Sequence, residues 1–180
     1  MLIGIEGNVG TGKTLYLVRC LKKDHDNGRP IYTNLKLKDI PYKPFDIDKF
    51  LSGESDKELY NATIGIDEIT VYMDCRVSSS KHNLLMGYLV LQSRKRDIDI
   101  YYTTQSLDLV DYKRLVKYTN YIVSCDKFED EKLENYRKYQ FFDVYHETFT
   151  EKAMDITPYY KYYDTNQIIE PMVKWKKEKK

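Results

Sequence analysis

Several things are scarce in these 180 residues, and each scarcity removes a class of protein. Net charge is nearly absent: 29 lysines and arginines stand against 28 acids, a formal +1 at pH 7. No bulk field draws the chain to polyanions, so any contact with nucleic acid has to come from local patches. Cysteines number three, Cys20, Cys75 and Cys125, odd in number and unevenly spaced. Free thiols in a reducing compartment are expected, and a disulfide framework is not. His25, His82 and His146 stand far apart, with no cysteine or carboxylate at ligand spacing, so no zinc site is expected. Long apolar runs are missing too. The longest, Leu84 to Leu91, falls well short of the ~20 residues that span a bilayer. The amino terminus enters an apolar strand at once and leaves no room for a signal peptide, so the expected setting is the cytoplasm, the host's if the chain is viral.

Alanine is scarce while tyrosine, at 18, is abundant, which reads as coding bias or hot growth and not as a functional signal. The length is that of one domain, enough to bury a core without staples. There are no internal repeats and no low-complexity linkers. Residues 1–180 therefore read as a single domain, with a core over about 1–125 and a hairpin and extended tail over 126–180. The basic end, Lys174 to Lys180, reads as a frayed, solvated tail.

Leu2 to Glu6 reads as a short buried strand followed by a glycine-rich turn. A helix is expected from Lys13, with Leu15, Leu17, Val18 and Leu21 on one apolar face and a left-handed stop near Asn27-Gly28. Pro30 to Asn34 is a second strand, residues 38 to 60 an irregular connector, and Ala62 to Ile66 a third strand running into Asp67-Glu68. A polar loop from Asp74 to Lys81 follows. The next helix, about Asn83 to Arg96, is apolar nearly all round and is expected to be packed inside. Ile98 to Thr103 and Tyr121 to Ser124 are further strands. This alternation predicts an α/β fold with a mostly parallel central sheet and helices on both faces. Tyr136 to Phe149 alternates and predicts an antiparallel hairpin at a sheet edge; residues 155 to 171 read as extended.

Gly7-Asn8-Val9-Gly10-Thr11-Gly12-Lys13-Thr14 fits the pattern G-x-x-x-x-G-K-[ST] between a buried strand and an amphipathic helix. Its glycines let backbone N–H groups turn inward around phosphates, and the helix start presents a positive end to them. In an ATP site Lys13 would bridge the β- and γ-phosphates and the Thr14 hydroxyl would ligate Mg²⁺. Ile64 to Glu68 is an apolar strand ending in two acids, which puts them at the carboxyl edge of the sheet beside that loop. Asp67 would hold Mg²⁺ through water, and Glu68 would polarise the attacking water. The second acid favours a water-activating ATPase over a kinase.

Gln105, after the strand Ile98 to Thr104, could sense the γ-phosphate or orient water; it could equally cap a turn. Arg94, in Ser93-Arg94-Lys95-Arg96-Asp97, suits transition-state charge because its planar fork pairs two phosphoryl oxygens. A basic helix end answering its own dipole is the competing reading. Arg96 and Arg76 rank behind Arg94 as finger candidates.

The segment Ser93-Arg94-x-x-Asp97-Ile98-x-Ile100-x-x-Thr103-Thr104-Gln105 resembles the G-R-x-x-G-I-x-h-h-h-A-T-Q segment of the FtsK/HerA superfamily of DNA-pumping ATPases. With the phosphate loop and Ile66-Asp67-Glu68, the resemblance covers roughly residues 1–125 and implies a P-loop NTPase fold of the RecA/ASCE-like kind. Arg29 to Asn34 is similar to a strand of zonular-occludens-toxin-like proteins of that superfamily, and the compact length resembles viral genome-packaging ATPases. The resemblance implies a homo-oligomeric ring, often a hexamer, with an arginine from one subunit completing its neighbour's site. It also implies translocation of double-stranded DNA and docking on a viral capsid. Toxin-like proteins carry a membrane helix that is not found here, which favours packaging over phage extrusion. Arg76 and Lys81 are the candidate DNA contacts, made to phosphates without regard to sequence. A small-molecule P-loop kinase and an assembly or secretion ATPase acting on protein stay open as alternatives.

Overall fold

The computed structural model of the chain describes residues 1–47 and 59–169. The basic end at 174–180, residues 48–58 of the connector, and the last two residues of the stretch expected to be extended lie outside the described residues.

The chain runs β1 (Leu2–Glu6), α1 (Lys13–Asp26), β2 (Ile31–Thr33), β3 (Lys43–Pro44), β4 (Thr63–Ile66), α2 (Thr70–Met73), α3 (Lys81–Ser93) and β5 (Asp99–Thr104). It continues with β6 (Tyr121–Lys127), β7 (Tyr136–Asp143), β8 (Thr148–Asp155) and a 3-10 turn at Thr157–Tyr162. The strands form one sheet in the order β3-β2-β4-β5-β1-β6-β7-β8. Every pairing from β3 across to β6 is parallel, and β7 and β8 extend the sheet antiparallel. The mostly parallel sheet with a C-terminal antiparallel hairpin matches the α/β, RecA/ASCE-like expectation. The carboxyl ends of β1, β4 and β5 thereby share one edge, which is where open α/β sheets bind ligands.

Strand alternation divides the apolar side chains between two faces. Leu2, Ile64, Ile66, Ile100 and Tyr102 face one cluster, completed by α2 and α3. Ile3, Ile5, Tyr101 and Val123 face another, completed by α1 and the 3-10 turn. In α1 the expected stripe is realised, with Leu17, Val18 and Leu21 fully buried. The helix stops where Asn27 and Gly28 donate their N–H groups to the carbonyls of Lys23 and His25, with Gly28 at φ +83°. Asn27-Gly28 is the expected left-handed stop.

Three expectations change. The second long helix begins at Lys81, where Ser80 Oγ accepts the Asn83 N–H at 3.2 Å, and gives way to a 3-10 turn at Arg94–Arg96. It is not buried all round: Met86, Leu89 and Val90 meet the core while Leu84, Tyr88 and Leu91 are exposed. A helix laid on one face of a sheet buries one side whatever its composition. The polar loop expected from Asp74 to Lys81 is partly helical, since it contains a 3-10 turn at Cys75–Val77 and its last residue opens α3. Within 155–169, Thr157–Tyr162 is a 3-10 helix with Pro158 at its start, not an extended strand. It rests against α1, and the Tyr162 carbonyl accepts the Lys38 N–H at 2.7 Å.

One face of α3 carries its stability. Leu89→Ala is expected to lower the unfolding free energy by about 2–5 kcal/mol, and Leu91→Ala by no more than about 0.5. Denaturant melts of the two variants check this, and equal losses would contradict it.

Candidate nucleotide site

The segment between β1 and α1 can fold only with glycine at its ends. Gly7 approaches β6 so closely that a Cβ there would lie 2.4 Å from the Cys125 carbonyl oxygen. Gly12, at φ +96°, caps α1 in a conformation that side chains strain to adopt. Between them Thr11 Oγ1 donates to the Asn8 carbonyl at 2.8 Å, closing the loop on itself, and Val9 projects from its tip. The Lys13 ammonium, nearly buried, donates to that same Asn8 carbonyl at 3.0 Å. The first N–H groups of α1 open into the loop with no helical acceptor. Loop, lysine and helix start form a cradle for an anion.

Across the edge, two hydroxyls converge on one oxygen. Thr14 Oγ1 donates to Asp67 Oδ1 at 3.0 Å, and Thr103 Oγ1 donates to it at 2.8 Å. The Asn34 side-chain amide clamps the Asp67 backbone, its Oδ1 accepting the Asp67 N–H and its Nδ2 donating to the Asp67 carbonyl, both at 2.8 Å. Glu68 takes a left-handed φ of +52°, a strained conformation for a residue with a side chain, and its N–H donates to Thr103 Oγ1 at 2.9 Å. Burial pushes the Asp67 carboxyl above the usual carboxylate range, against its two hydroxyl partners and the Lys13 charge. Burial, then the neighbouring Asp67 charge, does the same to Glu68, again opposed by Lys13. A carboxylate whose affinity for a proton is raised is suited to accept one from water.

The residues fit a nucleotide and a hard cation. Asp67 Oδ2 has no donor among the described residues, and it stands beside the Thr14 hydroxyl, an oxygen pair of the kind Mg²⁺ takes. No cluster of three or more His, Cys, Asp or Glu side chains that could hold a metal ion occurs among the described residues, so an ion here would take the rest of its shell from phosphate oxygens and water. A cavity of about 430 Å³ opens on Thr14, Asp67 and Glu68. The segment carrying Tyr163 and Gln167 covers it; Gln167 accepts the Lys36 N–H at 2.6 Å and donates to the Asn34 carbonyl at 3.0 Å. A larger cavity, about 600 Å³, opens at the opposite edge of the sheet, away from the phosphate loop.

The structure thus brings Lys13, Thr14, Asp67 and Glu68 together. Gln105 follows β5 directly and is exposed at the same edge. Arg76 lies in the 3-10 turn between α2 and α3, and Lys81 is the first residue of α3; the Arg76 guanidinium is held by Asp74, with Nε 3.0 Å from Oδ1. Arg94 and Arg96 stand at the opposite edge, before β5 begins, where Arg94 lines the larger cavity and Arg96 lies over the Tyr60 ring. Arg94 therefore does not reach the phosphate loop of its own chain. Thr103 and Asn34 end predicted strands, and nothing in the sequence marks them as partners of Asp67. Glu6, which accepts from Ser124 Oγ at 3.1 Å and from the Leu107 N–H at 3.3 Å, had no signal at all. Neither had Lys127 and Arg137, which β6 and β7 bring against the loop at Gly10 and Gly12.

Solved structures share this fold. The N-terminal domain of zonular occludens toxin from Neisseria meningitidis superposes with a TM-score of 0.66 at 19% identity, covering 91% of this chain and 98% of that one. The genome packaging NTPase B204 of Sulfolobus turreted icosahedral virus 2, in complex with ATP-gammaS, gives 0.58 at 11% identity over 83% and 95%. A KaiC-like protein of Pyrococcus horikoshii OT3 gives 0.55 at 16% identity over 84% and 82%. The fold is that of a P-loop NTPase. No protein-family profile matches the chain, and no curated protein does. Among the described residues no helix is long and apolar enough to cross a membrane.

The raised pKa of Asp67 has a consequence for stability. The folded chain binds that proton more tightly than the unfolded chain, so charging the buried carboxyl costs stability above the raised pKa. The cost fades as pH falls through that pKa towards the usual carboxylate range. Asp67→Asn keeps an oxygen to accept from Thr14 and Thr103. Without nucleotide at neutral pH it is expected to melt above the native chain, by a margin that shrinks on acidification. Thermal melts across the pH range check this, and a lower melting point at neutral pH would contradict it.

Proposed function

We propose that the chain is an ATPase, an ATP-hydrolysing motor that translocates or packages double-stranded viral DNA, working as a homo-oligomeric ring. The observation that carries the hydrolytic part is the pair Asp67-Glu68 at the cradle's edge, one acid tied to Thr14 and the other left with a raised proton affinity. In this reading the loop N–H groups and Lys13 would hold the β- and γ-phosphates, while Thr14, and Asp67 through water, would hold Mg²⁺. The ion supplies charge to neutralise the phosphate oxygens. Glu68 takes a proton from water as the water oxygen bonds to the γ-phosphorus, and the bond to the β–γ bridging oxygen breaks to leave ADP and phosphate. Gln105, at the same edge, orients the water or senses the γ-phosphate.

Arg94 completes the site from a neighbouring subunit. Its place at the sheet edge opposite its own loop supports a trans role and a head-to-tail ring. Likeness to a genome packaging NTPase supports DNA as the moved substrate, with Arg76 and Lys81 as phosphate contacts and a capsid as docking partner. A second reading, a phage assembly or secretion ATPase acting on protein, would use the same core. A kinase is disfavoured, since the second acid is spent on water.

DNA decides between the first two. Steady-state ATP turnover is expected to rise when non-specific duplex DNA is added at low salt, and the rise to vanish at high salt as phosphate contacts are screened. Turnover indifferent to DNA at low salt would sink the DNA motor and leave the protein-directed reading.

A further inference from the structure

The site has two sides, and only one has been given a task. β4, with Asp67 and Glu68 at its end, lies on one side of β1, and β6 lies on the other. With its γ end at Glu68, on the β4 side of β1, a triphosphate in the loop would carry its α-phosphate and ribose towards the β6 and β7 side. Two cations stand there. Lys127, the last residue of β6, pairs in register with Arg137 of β7. The Lys127 ammonium lies 3.1 Å from where a Cβ on Gly10 would be, and Arg137 Cγ lies 3.0 Å from the same point on Gly12.

Neither cation is used up by the protein. Lys127 is exposed, and its ammonium has no hydrogen bond or ion pair among the described residues. Arg137 Nη1 is held by the carbonyls of Glu134 at 2.6 Å and Tyr136 at 2.7 Å, which orient the guanidinium. Its Nε is buried with no partner. A buried donor of a charged group left unsatisfied is costly and asks for an acceptor. Acids are near in sequence, at Asp126, Glu129, Asp130, Glu131 and Glu134, yet none is ion-paired to either cation among the described residues. Tyr139, two residues along β7, donates from its hydroxyl to the Gly12 carbonyl at 3.3 Å and fastens the hairpin to the loop.

We propose that Lys127 and Arg137 form a clamp for the α-phosphate and ribose end of the nucleotide bound to the same subunit. The inference rests on the nucleotide site above and adds to it a binding role for the hairpin. Phosphate is the natural acceptor for both, Arg as a planar fork and Lys as a point charge. Because the α-phosphate is common to di- and triphosphate, the clamp holds ADP and ATP alike and plays no part in breaking the β–γ bond.

The test is equilibrium binding of ADP and of a non-hydrolysable ATP analogue, with Mg²⁺, to the native chain, Lys127→Ala and Arg137→Ala. Each substitution is expected to weaken both nucleotides to the same degree, by about tenfold, the worth of one charge-assisted contact. KM for ATP should rise with kcat unchanged. Unaltered affinity, or a loss confined to the triphosphate or to kcat, would overturn the clamp. If Arg137→Ala unfolds, exposed Lys127→Ala still decides. Native chain that binds neither nucleotide would overturn the site itself, whereas native binding matched by both variants would overturn the clamp alone.

Discussion

One carboxylate oxygen holds the nucleotide edge together. Asp67 Oδ1 accepts from Thr14 on α1 and from Thr103 on β5, while the Asp67 backbone is gripped by Asn34 at the end of β2. Three segments far apart in sequence are thereby fixed to a single residue. The arrangement also fixes what comes next in the chain: Thr103 Oγ1 accepts the Glu68 N–H, so the strained turn at Glu68 is held by the same hydroxyl that orients Asp67. Remove the Asp67 acceptor and both hydroxyls lose their direction, and the two acids lose their relation to the phosphate loop. Preorganisation of this kind is what a site needs if its charges are to act without rearranging.

Much of this was legible in the sequence, and the part that was legible is local. Strand, glycine loop and helix follow one another within residues 2–26, so the periods and the turn residues declared them, and Lys13 and Thr14 with them. Asp67 and Glu68 could be read because a buried strand ends on them. The partners of Asp67 could not be read, because they depend on strand order: Thr103 reaches Asp67 only because β5 pairs with β4, and Asn34 only because β2 lies on β4's other side. No spacing in the chain encodes that order. Likewise Lys127 and Arg137 meet the phosphate loop through the register of β6 on β7, ten residues apart in sequence but paired in space. For α3 composition misled, since Leu84, Tyr88 and Leu91 are as apolar as their buried neighbours yet face outward.

The sheet has a working edge and a far edge, and the charged side chains divide between them. The phosphate loop, both acids, Gln105 and the hairpin cations gather at the carboxyl ends of the strands. Arg94 and Arg96 gather at the other end, near the amino terminus and the larger cavity. Hydrolysis can be assembled within one subunit from the first group. In the ring we propose, coupling to a neighbour would run through the second, since Arg94 stands away from the phosphate loop of its own chain.

The most direct measurement is phosphate release from Mg²⁺-ATP by the native chain and by Glu68→Gln, with no acceptor molecule present. Steady release by the native chain is the expected result. In Glu68→Gln it should fall by about 100-fold or more, with binding of a non-hydrolysable ATP analogue retained. Undiminished release by Glu68→Gln, or turnover that appears only when an acceptor is supplied, would contradict a site built to activate water.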